Sequence, residues 1–189
     1  MRANRKNYKL NQAIILCGGK GSRLGKITLN TPKPLLKINN IPFIEYLIKN
    51  LARHNIRKIY LLCCYKSEKF IKKYHNKKIL NSKLICIDEK NPKGTAGGLY
   101  KIKKKLDKYF LVMNGDTFFN INYLDLFKKF NTNNNFAQIA LTKKNGDRYG
   151  KFDLDKNKKI NLKKGKFINA GIYIFSKKIF KLFNINTFS

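Results

Sequence analysis

Ala13-Ile14-Ile15-Leu16-Cys17-Gly18-Gly19-Lys20-Gly21-Ser22-Arg23-Leu24 decides how the rest of the chain is read. Its first five residues are apolar and the run stops at two glycines, the pattern of a short buried strand entering a glycine loop. Downstream, Phe43, Leu47 and Leu51 with Ile44 and Ile48 keep a helical period, which predicts a helix over 43–54. A second buried strand follows over 59–63, then a helix over 67–74 that Ser67 caps. A third strand falls at 84–87, and a Gly-Thr turn opens a helix over 95–106. A fourth strand, 109–113, ends at Asn114-Gly115-Asp116, followed by a helix over 123–130, an Asn-rich loop over 131–135 and a fifth strand over 136–141. Strands alternating with helices predict an α/β fold, a Rossmann-like, mostly parallel sheet with helices on both faces. Beyond Asn145 the pattern changes to strand-like segments at 149–154, 159–162 and 167–175, a β-rich excursion. Residues 1–11 read as a basic tail and 12–189 as one domain.

Composition narrows the function. At 189 residues and 43% hydrophobic the chain is long and apolar enough to bury a core. The four cysteines include adjacent Cys63 and Cys64 but no C-x-x-C, so neither a disulfide framework nor a zinc site is expected. The longest apolar run, 59–65, is far below the roughly 18–20 residues of a membrane span, and the N-terminus has no apolar signal core. A cytoplasmic protein without a membrane partner is the expectation. The net charge of +32 comes from 36 lysines against 6 arginines, and Lys, Asn and Ile together make 82 residues. Those residues belong to A/T-rich codons, and the lysines are spread over every surface segment rather than gathered on one element. No nucleic-acid partner is therefore expected. The field still draws phosphorylated anions.

In a sheet of this kind, ligands bind beyond the carboxyl ends of the strands, where the glycine loop sits. Glycines allow close backbone approach to phosphates, and successive free N–H groups make an anion nest. The loop is not a Walker A motif, because neither Gly18 nor Gly19 has a glycine five residues on. It is not a dinucleotide fingerprint either, because Leu24 stands where the third glycine belongs.

What does match is longer. Gly18-Gly19-x-Gly21-Ser22-Arg23-Leu24 followed by Thr31-Pro32-Lys33-Pro34 resembles the signature of the sugar-1-phosphate nucleotidyltransferase family. The likeness continues through Pro92-x-Gly94-Thr95-Ala96-Gly97, Asn114-Gly115-Asp116, Arg148-Tyr149-Gly150 and Asn169-Ala170-Gly171, so it spans nearly the whole chain. Within the family, Asn114-Gly115-Asp116-Thr117-Phe118-Phe119 and Asp147-Arg148-Tyr149-Gly150 look most like bacterial heptose 1-phosphate guanylyltransferases, with mannose 1-phosphate guanylyltransferases nearly as similar.

The resemblance implies a GT-A-like nucleotidyltransferase fold and a reaction joining an NTP to a sugar 1-phosphate, with Mg²⁺ as cofactor and pyrophosphate as leaving group. It implies GTP as nucleotide and surface polysaccharide synthesis as destination; no residue-level feature selects the base, the sugar or an oligomeric state. The catalytic cations it implies are Arg23, a fork for the leaving phosphates, and Lys33, a point charge held between two φ-restricted prolines. Leu16, Gly18, Gly19, Gly21, Ser22, Glu89, Gly94 and Thr95 are implied at the nucleotide. Asn114, Tyr149, Gly150, Lys164 and Asn169 are implied at the sugar phosphate, with Asp116 as metal ligand. One carboxylate is a chemically adequate start, since Mg²⁺ takes only one or two with waters and phosphate oxygens.

The chain departs from the family pattern twice. The Glu-Lys pair expected before the Asn-Ala-Gly strand is replaced by Asn161-Leu162-Lys163-Lys164-Gly165-Lys166, without the Glu. A second metal-binding Asp, expected after a helix over 176–183, falls beyond Ser189, and Asp153 and Asp155 read as exposed rather than as substitutes. These departures lead to the expectation of a C-terminally shortened domain with weakened metal binding. The alternative to an active enzyme is a relative that binds nucleotide or sugar phosphate without turnover; a basic nucleic-acid-binding protein is the weaker alternative. His54 and His75 read as structural, and Cys17 and Cys86 as small buried apolar residues.

Overall fold

The computed structural model describes residues 9–90, 94–130, 135–143, 151–157, 159–161 and 165–183. Its strands are β1 (Gln12–Cys17), β2 (Lys37–Ile38), β3 (Ile41–Pro42), β4 (Lys58–Cys63), β5 (Lys78–Ile79), β6 (Ser82–Asp88), β7 (Tyr109–Asn114), β8 (Ala137–Lys143), β9 (Lys151–Leu154), β10 (Ile160–Asn161) and β11 (Phe167–Ser176). Its α-helices are α1 (Phe43–Arg53), α2 (Ser67–Tyr74), α3 (Gly94–Lys101) and α4 (Tyr123–Lys128). Among the described residues the main sheet runs β10-β9-β11-β7-β1-β4-β6-β5, with β8 also paired to β11. The centre β7-β1-β4-β6 is parallel. The edges are antiparallel, because β11 returns against β7, and β8 and β9 pair with it.

The alternation of side chains along these strands builds two cores. Ala13, Ile15 and Cys17 of β1, Ile59, Leu61 and Cys63 of β4 and Leu111 and Met113 of β7 face α1, α2 and Tyr123 of α4. Ile14, Tyr60, Leu62, Phe110 and Val112 face the other way, against Leu99, Ile102 and Leu106. A sheet covered on both faces explains why its strands read as continuous apolar runs rather than alternating ones. The first core already includes Leu10, and Asn11 O accepts from the Arg57 and Lys58 amides. No helix among the described residues is long and apolar enough to cross a membrane.

Several local expectations are corrected. Ser67 is not the cap of α2 but its first residue; Lys66 holds the cap position at φ 50° without a side-chain cap bond. The helix expected over 95–106 breaks at Ile102 and resumes as a 3₁₀ turn, Lys103–Lys105. Lys105 O is taken by Gln12 Nε2 (3.3 Å) and the Tyr60 hydroxyl (3.2 Å), while Gln12 Oε1 accepts from the Asp107 amide (2.8 Å). Those partners lie far away in sequence and give no periodic signal. The helix expected over 176–183 is a 3₁₀ helix, Lys177–Lys181, capped by Ser176. The β2–β3 hairpin and β5 are two-residue strands too short for a pattern.

Phe110 is fully buried, with ring centroids 6.0 Å from Phe175 and 6.1 Å from Phe180, so it ties β7 to β11. Phe110→Ala is expected to lose about 3–5 kcal/mol in chemical denaturation. A loss under about 1 kcal/mol would mean that this second core does not hold the antiparallel edge in place.

Candidate active site

β1 and β7 run side by side in parallel, with Leu16 paired to Asn114, so the glycine loop after one and Asp116 after the other emerge together. The Gly115 amide donates to Leu16 O at 3.0 Å, and a Cβ on Gly115 would stand only 2.6 Å from that oxygen. A larger residue there would push the two strand ends apart. The ends open on a cleft of about 310 Å³ whose walls include Leu16, Gly19, Gly21, Arg23, Lys33, Thr95, Asn114 and Asp116. These positions span 100 residues of chain and meet because the sheet is parallel there.

The loop is held from several sides. Gly21 sits at φ 68°, and a Cβ on it would come 3.1 Å from Thr28 Cγ2 and 3.3 Å from Lys33 Cβ, so glycine is required both by conformation and by space. The Thr28 hydroxyl lies 3.1 Å from Gly21 O and 3.2 Å from Gly25 O. The Tyr65 hydroxyl in turn holds Thr28 O (3.1 Å) and Leu29 O (2.7 Å). Ser22 and Arg23 open the 3₁₀ helix Ser22–Thr28 and are exposed; Arg23 reaches the cleft. Lys33 starts the turn Lys33–Leu35 between buried Pro32 and Pro34. Its Nζ donates to Asp116 Oδ2 at 2.7 Å, the two side chains being 38% and 40% exposed. The Thr117 hydroxyl donates to Asp116 Oδ1 at 3.3 Å.

Glu89 lies beside this cleft rather than among its walls. Its amide donates to Cys63 O (2.7 Å), continuing the parallel pairing of β6 with β4 one step past Asp88. A Cβ on Gly18 would be 3.8 Å from Glu89 Oε2, and one on Gly98 only 2.1 Å from Oε1. The carboxylate therefore rests on the bare backbone of α3. Burial pushes its pKa up from 4.5; the Lys101 ammonium pulls it back and Asp88 adds to the rise. Gly98 was not singled out in the sequence, although Gly97-Gly98 inside a helix is a signal of close approach. Gly94 opens α3 at φ 67°, which brings Thr95 to the cleft.

Asn169 lies on β11, with its Oδ1 accepting from the Gly171 amide (2.8 Å). Tyr149, Gly150 and Lys164 fall outside the described residues. Asp153 and Asp155 are exposed, as expected, and Asp155 Oδ1 accepts from the Asn157 and Lys159 amides. Cys17 and Cys86 are buried as expected. Cys63 joins them, and its hydrogen bond with Cys17 and its burial push its pKa far up, so it stays a thiol.

The displaced titration of Glu89 has a measurable sign. The folded carboxyl holds its proton above pH 4.5, so the cost of its buried charge appears as pH rises past that value. Glu89→Gln is expected to raise the melting temperature at pH 7, with the gain vanishing below about pH 4.5. A gain independent of pH would refute the assigned cause.

Comparison with known proteins gives the following. The family model described as nucleotidyl transferase matches residues 12–187. D-glycero-alpha-D-manno-heptose 1-phosphate guanylyltransferase of Campylobacter jejuni is 39% identical over 180 residues, covering 91% of this chain and 79% of that protein. The bifunctional protein GlmU of Methanocaldococcus jannaschii is 36% identical over 177 residues, 90% of this chain but 41% of its own length. Among solved structures, HddC from Yersinia pseudotuberculosis complexed with GMP-PN superposes with a TM-score of 0.79 at 31% identity, covering 92% of this chain and 80% of that one.

Proposed function

The chain belongs to the nucleotidyl transferase family, as an NTP:sugar-1-phosphate nucleotidyltransferase of GT-A-like fold, and from that premise we propose that it joins GTP to heptose or mannose 1-phosphate. The products are a GDP-sugar and pyrophosphate, the activated sugar serving surface polysaccharide synthesis. The observation that supports the reading best is the meeting of Arg23, Lys33, Thr95, Asn114 and Asp116 with the glycine loop in one cleft.

In this reading a sugar phosphate oxygen attacks the α-phosphorus of GTP in line, and the bond to the pyrophosphate oxygen breaks. No covalent link to the protein forms, so the residues act by position and charge. The loop from Gly18 to Ser22 offers backbone N–H groups to the phosphates, with Leu16 beneath it at the end of β1. Arg23 faces the departing phosphates with its guanidinium fork, and Lys33 neutralises charge at the α-phosphate. Gly94 and Thr95 bring the start of α3 to the nucleotide. Asn114 and Asn169, with Tyr149, Gly150 and Lys164, serve the sugar phosphate.

Members of the family typically use a divalent metal ion. The donor chemistry here fits Mg²⁺: Asp116 presents a half-exposed carboxylate to the cleft, already holding a cationic group, Lys33 Nζ, on Oδ2. No cluster of three metal-ligating side chains stands among the described residues, so Asp116 would hold the ion together with substrate phosphate oxygens. Mg²⁺ so bound would neutralise phosphate charge as it shifts toward pyrophosphate.

Guanine is supported by the names of the guanylyltransferase relatives and by Glu89. A carboxylate only accepts hydrogen bonds, and of the common bases guanine alone offers two adjacent donors, N1–H and the N2 amino group, on its pairing edge.

Pyrophosphate release with Mg²⁺ tests the assignment, offering GTP, CTP, UTP and dTTP in turn with heptose, mannose and glucose 1-phosphates. Release with GTP and heptose or mannose 1-phosphate is expected. Nucleotide binding without release from any pair would identify a non-catalytic relative, and preference for another base would remove guanine. Lys33→Met is expected to lower kcat about 10²–10³-fold, the cost of removing one preorganised charge-stabilising group. An unchanged kcat would exclude Lys33 from the reaction. Glu89→Gln is expected to cut the preference for GTP over UTP by roughly tenfold or more, as the ratio of the two kcat/KM values.

A further inference from the structure

Asn169 and Tyr173 are four residues apart on one strand, yet Asn169 Nδ2 donates to the Tyr173 hydroxyl at 2.6 Å. In a regular strand such residues stand about 13 Å apart along the chain with side chains perpendicular to it, so they do not meet. Here β11 is bulged. Asn169 and Tyr173 lie opposite Leu141 and Ile139 of β8, so four steps on one strand match two on the other. Gly171 supplies the turn at φ 74°, a conformation L side chains rarely adopt.

The bulge holds two amides at once. A Cβ on Gly171 would lie 2.7 Å from Asn114 Nδ2, so the glycine leaves the space in which the cleft's Asn114 side chain sits. The Gly171 amide donates to Asn169 Oδ1, and Tyr173 accepts from Asn169 Nδ2. Both ends of the Asn169 amide are thus engaged, and its orientation is set. Of the amide's two N–H groups and two oxygen lone pairs, these bonds use one of each, which leaves a donor and an acceptor. That pair complements vicinal hydroxyls of a sugar, each of which can donate and accept. The Tyr173 ring is anchored against the second core and stacked on Phe175 at 5.8 Å with planes 6° apart.

We infer that Tyr173 is a positioning residue for the sugar 1-phosphate, acting through the amide of Asn169 in the bulge at Gly171. The inference rests on the proposed reading of Asn169 as a sugar contact. Tyr173→Phe keeps the stacked ring and removes only the hydroxyl, so its melting temperature should stay within about 3 °C of the parent.

The test compares Tyr173→Phe, Asn169→Ala and the double variant in the full chain, reading KM and kcat for mannose 1-phosphate with GTP and, by calorimetry, binding of mannose 1-phosphate in the presence of GDP. Tyr173→Phe is expected to weaken mannose 1-phosphate about five- to tenfold, the scale of one hydrogen bond, while KM for GTP and kcat change less than twofold. Asn169→Ala is expected to weaken it at least as much, and the double variant no more than Asn169→Ala alone. If Asn169→Ala weakens the sugar and Tyr173→Phe does not, or if the two effects add, the positioning role is wrong and the site reading stands. If Asn169→Ala leaves the sugar untouched, the site reading fails and takes this inference with it.

Discussion

The hydrogen bond from the Gly115 amide to Leu16 O is the contact on which the cleft depends. It continues the parallel pairing of β1 and β7 one step past the last paired residues, Leu16 and Asn114. Because Gly115 has no side chain, the backbone leaving β7 lies directly against the end of β1. The glycine loop and Asp116 are thereby forced to diverge from a common point. Without that closeness, Lys33, which follows the loop, would not reach Asp116, 83 residues away in sequence.

The cleft concentrates a general property of the chain. A surface with 42 basic and 10 acidic residues attracts polyanions everywhere, and steering of that kind gives rate rather than selectivity. Selectivity needs groups whose place is fixed. Lys33 is fixed by two buried prolines, Gly21 by its φ and by Thr28, and Asn169 by two hydrogen bonds, whereas most of the lysines extend from exposed positions. The sequence distinguishes the two kinds of cation through the prolines and glycines around them, not through the cations themselves.

The architecture was legible because both faces of the sheet are covered: the apolar runs beginning Ala13, Ile59 and Tyr109 had to be buried strands, and the period of Phe43, Leu47 and Leu51 placed α1 to within a residue. The cleft was legible in part, since its Gly19, Gly21, Arg23, Lys33, Thr95, Asn114 and Asp116 belong to motifs that read locally, whereas Gly18 and Ser22 of the same motif are not among its walls. What escaped depends on partners distant in sequence. The 3₁₀ turn after Ile102 sits where Gln12 and Tyr60 hold Lys105 O. The seat of Glu89 depends on a glycine in another element, and the curl of β11 depends on Asn114 needing the space beside Gly171. No periodicity encodes such contacts; only isolated glycines hint at them.

The pair Lys33–Asp116 shows why a binding cleft can afford a salt bridge across its mouth. Both side chains are more than a third exposed, and ion pairs in that setting contribute about 0–1 kcal/mol. The contact neutralises a carboxylate that would otherwise repel a triphosphate, yet it is weak enough to be exchanged. Under the proposed function, Asp116 would hold a divalent ion together with substrate phosphate oxygens, and Lys33 would pair with a phosphate. A deeper pair would have resisted the exchange, because separating two desolvated charges costs several kcal/mol. Under the proposed function, the partial exposure of Lys33 and Asp116 suits residues that change partners when the ligand binds.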